Sequence, residues 1–233
     1  MRIGLMIFFQ PSVDILCKIV PSLFMLVSEE GFREDGRRPN ELRRTEVARK
    51  MVEGKGVVDM RQGNTQVSVQ CSGPKEIGKM SIEVEFYAVS RQEPVNEKRM
   101  LEYEDVLLDI FSDVLLPEAS VDIKVIVRED GGSLLSTMIN CITICLSYFG
   151  MPLTDMCYSA TVGEGCVDLT STEESQRIPV VTVAYLMNRK SIAYLSLNGR
   201  SVCDKLRSCI LEAVGACYSA REHFKDFFSL SSP

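Results

Sequence analysis

Short runs of apolar and β-branched residues open the patterned part of the chain. They are Val57–Met60, Thr65–Cys71 and Met80–Val89, and in the third run apolar and polar residues alternate as in a half-buried strand. Gly63-Asn64 lies between the first two runs and supplies residues that tolerate the positive φ of a hairpin turn. The pattern predicts three strands, with the first two joined in a hairpin.

From Asn96 the apolar spacing becomes helical. A helix is predicted over about 97–118, with apolar residues on one face and acids on the other. A second helix, over 134–148, is apolar on nearly all sides, which predicts that it is buried. A closing helix is predicted over about 201–228. Further strands are predicted at Val121–Val127, Met156–Val162, Pro179–Leu186 and Ser191–Leu197.

The predicted order of elements is β-β-β-α-β-α-β-β-β-α. Blocks of strands interrupted by helices favour a mixed α/β (α+β) fold, with sheets packed against helices, over a doubly wound parallel sheet. The length of 233 residues is ample for a large core. We expect residues 25–233 to form a single domain.

Residues 1–24 are mostly apolar and allow two interpretations. A secretory signal is one, but no small-residue cleavage site stands out. Gln10, Pro11 and Asp14 interrupt the stretch, so it does not reach the ~18 apolar residues of a membrane-spanning helix. Because Met25 begins an ordinary N-terminal segment, we interpret 1–24 as an upstream extension of doubtful status.

Composition narrows the chemistry. The 26 basic and 32 acidic residues give a net charge of −6, which by itself offers no reason to expect a nucleic-acid-binding protein. One histidine, His223, excludes a multi-histidine metal site, and we expect it to be a solvated residue of the last helix. The nine cysteines include no Cys-x-x-Cys pair, so we expect buried, reduced thiols, no metal site and no cofactor.

The stretch Asp130-Gly131-Gly132-Ser133 carries the most chemical information. It lies between a predicted strand and the buried helix, where two glycines permit a sharp bend and Ser133 can serve as the N-cap. Backbone N–H groups at a helix start attract anions. The stretch therefore predicts an anion site, although such a turn alone is more often structural.

The order of several motifs resembles the RNase PH family, and within it the ring subunits of the RNA exosome, over about residues 26–225. The motifs are Gly31-Phe32-Arg33, Asp35-Gly36-Arg37-Arg38-Pro39, Glu41-Leu42-Arg43, Gln62-Gly63-Asn64-Thr65, Gly73-Pro74-Lys75-Glu76, Asp130-Gly131-Gly132-Ser133 with Asn140, Gly150-Met151-Pro152-Leu153, and Asp168-Leu169-Thr170 with Glu173-Glu174. In active members of this family, phosphate attacks the terminal RNA phosphodiester. The resemblance implies an RNase PH-like fold, with phosphate held at Ser133 and by an arginine directly after it.

Two positions depart from the active pattern. The arginine position after Ser133 holds Leu134, and an acidic position before the strand at Pro179 holds Arg177. Losing the guanidinium removes a contact of roughly 2–3 kcal/mol, and losing a catalytic carboxylate slows chemistry by about 10²–10⁴-fold. We therefore expect a degenerate, non-catalytic site. The alternative is an active phosphate-dependent 3′-to-5′ exoribonuclease that uses Ser133 and Glu174.

The same resemblance implies contacts with single-stranded RNA near a central pore. The candidate residues are Lys75, Lys79, Arg91, Lys98 and Arg99. We expect Arg33, Arg37 and Arg38 to form ion pairs with nearby acids instead. The implied partners are other RNase PH-like subunits in a hetero-hexameric ring, RNA-binding cap subunits and a separate hydrolytic nuclease, in the nucleus, including the nucleolus, and in the cytoplasm. A ring scaffold that never touches RNA is a further alternative.

Overall fold

A computed structural model of the chain describes residues 26–75, 80–87, 97–116, 120–176, 178–199 and 203–229. Within these ranges the chain forms two sheets and four helices. The interpretation of residues 1–24 falls outside the described residues and stays a prediction, as does the assignment of 25–233 to one domain.

The first sheet has five strands in the order β1-β2-β3-β5-β4. They are β1 (Thr45–Val52), β2 (Lys55–Gln62), β3 (Thr65–Lys75), β4 (Ser81–Phe86) and β5 (Ser120–Glu129). Neighbours pair antiparallel except β4, which lies parallel to β5. Gln62 pairs with Thr65, so Gly63 and Asn64 form the turn of the predicted hairpin, and Gly63 has φ 58°.

The second sheet is antiparallel, in the order β7-β6-β8-β9. Its strands are β6 (Cys157–Gly163), β7 (Cys166–Val167), β8 (Val180–Leu186) and β9 (Ser191–Asn198), and the helices are α1 (Glu97–Val114), α2 (Leu134–Tyr148), α3 (Ser171–Ser175) and α4 (Cys203–Ser229). Helix α2 lies between the sheets, against β2 and β3 of one and β6 and β8 of the other. Twelve of its fifteen residues are buried, as its apolar sequence predicts.

The mixed α/β fold is confirmed, and the structure adds three elements to the predicted order. Strand β1 escapes sequence analysis because charged residues such as Glu46 and Lys50 occupy its exposed side while Thr45 and Val47 point inward. A charged outer side is common on edge strands. The two residues of β7 and the five of α3 are too few to show a periodicity. Helix α1 ends at Val114, earlier than predicted, and Leu115 bridges to Leu153 instead.

The seven cysteines whose side chains the structure describes are buried and not disulfide-bonded. They are Cys71, Cys141, Cys145, Cys157, Cys166, Cys209 and Cys217. His223 is exposed on α4, where its ring contacts those of Phe224 and Phe227. None of the described helices is long and apolar enough to cross a membrane.

Candidate functional site

The loop from Asp130 to Ser133 joins β5 to α2 and passes against two other segments of backbone. A Cβ atom on Gly131 would lie 2.7 Å from Asn64, and one on Gly132 would lie 2.4 Å from the amide nitrogen of Ser171. Gly132 also has φ 102°, a conformation that side chains disfavour. Close approach of backbone therefore requires both glycines, as the sequence motif suggests.

Ser133 occupies the N-cap position of α2, but it does not cap the helix with its side chain. Its backbone is left-handed, with φ 51°, and its hydroxyl donates to the carbonyl of Leu169 at 2.9 Å. The first helical hydrogen bond runs from the Thr137 amide to the Ser133 carbonyl at 3.0 Å. Ser133 is therefore the N-cap residue, as predicted, but the left-handed turn directs its hydroxyl to Leu169 and no side-chain cap forms.

The predicted anion site is in contact with a carboxylate of the chain itself. The Ser133 amide donates to Oε1 of Glu174 at 2.7 Å. Ser133 and Glu174, the residues named for the active alternative, are thus brought together, but the amide that was expected to bind phosphate already has a protein partner. A bound anion would have to displace that carboxylate or lie beside it.

Two opposing influences act on the carboxyl group of Glu174. Burial raises its pKa and the nearby charge of Asp130 raises it further, while the Ser133 amide, Arg43 and Arg99 oppose the rise without cancelling it. Asp130 itself accepts from Arg99 at 3.2 Å, and Arg99 also donates to the Tyr103 hydroxyl at 2.9 Å. The site therefore holds two carboxylates, with the guanidinium of Arg99 against Asp130 and that of Arg43 close enough to act on Glu174.

Helix α3 orients Glu174 through a capping box. The Thr170 hydroxyl accepts from the Glu173 amide, and the Glu173 carboxylate accepts from the Thr170 amide at 2.8 Å. The same carboxylate binds Arg33, whose Nε donates to it at 2.8 Å in a buried ion pair. Burial alone would raise the pKa of Glu173, but the hydrogen bonds from Arg33 and Thr170 and the charge of Arg33 together outweigh it, and the pKa is lowered. Two partners thus fix the residue next to Glu174.

Arg43 holds the loop and the β7–α3 segment together. Its guanidinium donates to the Gly131 carbonyl at 3.1 Å and to the Gly132 carbonyl at 3.0 Å. It also binds Oδ1 of Asp168 at 2.7 Å, and the Arg43 amide donates to Oδ2 at 2.7 Å. Burial alone would raise the pKa of Asp168, but the charge and hydrogen bonds of Arg43 outweigh it and the pKa is lowered.

Arg43 belongs to the motif Glu41-Leu42-Arg43, for which the sequence alone predicts no role. A usable signal exists, because Arg43 is in phase with the inward-facing Thr45 and Val47 of β1. As expected, Arg33 and Arg37 form ion pairs with acids of the chain, and Nε of Arg37 lies 2.6 Å from Oδ2 of Asp35.

Of the two positions that depart from the active pattern, the structure describes only Leu134. Leu134 is buried in the core at the start of α2, 4% exposed, so its side chain cannot contact a solvated anion. Arg177 lies outside the described residues. Among the residues that the structure describes, no group of three or more His, Cys, Asp or Glu side chains could hold a metal ion.

The candidate RNA-binding residues that the structure describes, Lys75, Lys98 and Arg99, do not form one cluster. Lys75 pairs with Asp122 near the start of β5, whereas Arg99 pairs with Asp130 just beyond its end. The two acids are eight positions apart along the chain, roughly 26 Å in an extended strand. Lys98 is exposed in the first turn of α1 and pairs with Glu102 at 3.7 Å. Lys79 and Arg91 lie outside the described residues, so only Arg99 is shown to adjoin the Ser133 site.

An open depression of about 450 Å³ adjoins the loop. Its lining includes Arg37, Arg43, Gly131 and Thr170, but neither Ser133 nor Glu174. Both positive and negative side chains line it, so its charge favours no single class of ligand.

Comparison with known proteins identifies the fold. Residues 41–152 match the family described as "3′ exoribonuclease family, domain 1". A relative named putative exosome complex component RRP41, from Caenorhabditis elegans, is 29% identical over 84% of this chain and 91% of its own length. The crystal structure of rice (Oryza sativa) Rrp46 superposes with a TM-score of 0.71 and 26% identity, over 83% of this chain and 98% of the other.

The Archaeoglobus fulgidus exosome with RNA bound to the active site superposes with a TM-score of 0.63, over 84% of this chain and 93% of the other. At 19% identity it shows the fold alone. The chain contains an RNase PH domain, as the ordered motifs indicate. Its sequence relatives include exosome components named RRP41 (ribosomal RNA-processing protein 41), the protein that the motifs resemble.

Replacement of Arg43 by Met should destabilise the chain by about 3–5 kcal/mol, because it leaves Asp168 buried without its partner. Urea unfolding at neutral pH measures this difference. The matched control is Arg44→Met: the Arg44 side chain is 87% exposed and pairs with Glu46 on the surface, so its loss should cost at most about 1 kcal/mol. Equal effects of the two changes would show that Arg43 is not the link described above.

Replacement of Glu174 by Gln should become more favourable as the pH rises. A carboxyl group whose pKa is raised by folding destabilises the folded state above that pKa, and the cost vanishes below the unfolded value of about 4.3. Gln keeps an oxygen for the Ser133 amide but carries no charge. Urea unfolding of the two proteins between about pH 4 and pH 7 gives the difference. A gain that shrinks towards neutral pH would contradict the pKa assignment, and Glu164→Gln, at an exposed position, is the control.

Proposed function

We propose that the chain is a non-catalytic subunit of the RNA exosome core. One observation carries the non-catalytic assignment: the Ser133 amide binds Glu174, and the neighbouring side chain is a buried leucine instead of an arginine. Phosphate at this position would meet two carboxylates, Glu174 and Asp130, in a partly buried place where like charges repel strongly. The family and the exosome names of its relatives support the assembly.

In this proposal the chain takes a place in a ring of six RNase PH-like subunits. RNA-binding cap subunits lie on the ring, and a separate hydrolytic nuclease degrades the RNA that passes through. The complex acts in the nucleus, including the nucleolus, and in the cytoplasm. The chain's own share is structural support of the ring and guidance of single-stranded RNA for 3′-to-5′ processing and decay.

The guidance role depends on basic side chains at the start of α1. Lys98 is exposed, and Arg99, partly exposed, is held by Asp130 and Tyr103 beside the Ser133 site. Such groups hold phosphates without reading sequence. Lys75, roughly 26 Å away along β5, would contact a different stretch of RNA. Lys79 and Arg91 stay candidates for RNA contact.

The active exoribonuclease is the second candidate, and one observation favours it. Arg99 places a guanidinium next to Asp130, so a positive charge does exist near the start of α2. An active enzyme would use this charge in place of the missing arginine, with Glu174 moving protons. The active enzyme would release ADP from poly(A) and phosphate, and the non-catalytic subunit would not.

The assembled ring, incubated with poly(A), inorganic phosphate and Mg²⁺, should release no ADP above background, because no arginine follows Ser133 and the Ser133 amide is bound by Glu174. Thin-layer chromatography of labelled products measures the release. ADP formation that requires phosphate, disappears in Glu174→Ala and survives in Glu164→Ala would overturn the non-catalytic assignment.

Replacement of both Lys98 and Arg99 by Ala should weaken binding of poly(A) to the assembled ring. Two lost phosphate contacts should reduce the slope of log K against log salt by about 1.4. Fluorescence anisotropy over a salt series gives the slope. The matched control is Lys190→Ala with Lys225→Ala, at exposed positions elsewhere. Identical slopes for all three rings would favour a scaffold that does not touch RNA.

A further inference from the structure

Helix α1 has a second apolar strip besides the one that enters the core. Its inner side chains Leu107, Ile110, Phe111 and Val114 are buried. Leu101 and Leu108, by contrast, are 60% and 39% exposed. They are seven residues apart, so they lie on one side of the helix, two turns from each other. Packing in the core therefore does not explain why these two positions are leucines.

Carboxylates surround the exposed leucines. Asp105 lies between them, one turn from Leu101, and other exposed acids flank the strip: Glu97, Glu102, Asp109 and Asp113. The exposed base among them is Lys98, whose pair with Glu102 spans 3.7 Å between side chains that are 80% and 64% exposed. Such a pair contributes little and leaves the surface strongly negative. Leu101, Glu102, Asp105, Leu108 and Asp109 are called the outer face of α1 below.

The adjacent strand edge offers little to a partner. Strand β4 is at the edge of its sheet and packs beside α1. The Val84 amide of β4 donates to Oε1 of Glu104 at 2.8 Å, so this donor is not available to an added strand. A partner that binds in this region is therefore expected to contact the outer face of α1 and not the edge of β4.

The charge of the outer face selects among partners. A nucleic acid would bring its phosphates against the three carboxylates of the outer face and the flanking Glu97 and Asp113. A second copy of the chain would bring either the same acidic face or another surface of a protein whose net charge is −6. A basic protein segment gains from both features, since its lysines or arginines meet the acids while its apolar side chains cover the leucines.

We propose that the outer face of α1 binds a basic amphipathic helix of a partner protein. Two leucines at seven-residue spacing match a helix that presents apolar side chains at the same spacing. We expect the partner helix to place a lysine or arginine opposite Asp105, midway along the strip. We also expect basic residues along one of its flanks, opposite Glu102 and Asp109. The inference is independent of the RNA contact proposed for Arg99, which faces Asp130. Lys98, the other RNA contact proposed on α1, pairs with Glu102 and lies beside the outer face.

Chemical crosslinking in the native assembly tests the proposal. The full-length chain, tagged and expressed in its source cell, is purified with its partners and treated with a carbodiimide that joins carboxylates directly to lysines. Mass spectrometry should find Glu102, Asp105 or Asp109 joined to lysines of one segment of another chain, with apolar residues seven apart in that segment.

Charge reversal provides the quantitative test. The triple variant Glu102→Lys, Asp105→Lys, Asp109→Lys should retain about tenfold less of the crosslinked partner, a change of about 1.4 kcal/mol. Changing the lysines of the partner segment to Glu should restore it. The matched control, Glu29→Lys, Glu30→Lys, Glu164→Lys, makes the same charge change at exposed positions elsewhere and should retain the partner. The milder variant Leu101→Ser, Leu108→Ser keeps the acids and should also lose it.

Several results would overturn the proposal. One is the absence of crosslinks from these three carboxylates to another protein, and another is crosslinking to a second copy of the chain. A third is full retention of every partner by the triple variant. Protection of the carboxylates from the carbodiimide by added poly(A) would assign the face to RNA and would equally reject a basic helix.

Discussion

The buried ion pair between Arg43 and Asp168 is the contact on which the site depends. It joins the segment before β1 to the segment after β7, 125 residues later in the chain. The same guanidinium binds the carbonyls of Gly131 and Gly132, so it also fixes the loop that begins α2. Removing one member of such a pair leaves a charge buried in a poorly polarisable interior, which is why the pair constrains everything around it.

The constraint extends from Asp168 into α3. Arg33 binds Glu173, and the capping box of Thr170 and Glu173 fixes the first turn of that short helix. Glu174 is the next residue, so its carboxylate is delivered to the Ser133 amide. The amide that the family resemblance assigns to a bound anion is thereby occupied from within, and this contact is the basis of the proposed non-catalytic role.

Helix α1 has one side near the Ser133 site and another side exposed to solvent. Arg99 turns towards Asp130 and the Ser133 site, whereas Leu101 and Asp105 face solvent. The net charge of −6 describes neither side, because arginines and acids are paired near the site while acids predominate on the outer face. A whole-chain total cannot report such local fields.

Local periodicity determined much of the fold. Apolar residues on all sides of 134–148 predict a buried helix because only an interior can cover them, and Gly63 permits the hairpin that the structure has. Strand β1 escaped prediction because its outer residues are charged. What Ser133 binds was decided by tertiary structure alone, since Glu174 is 41 residues away in sequence and a local pattern holds no information about which distant carboxylate packing brings to an amide.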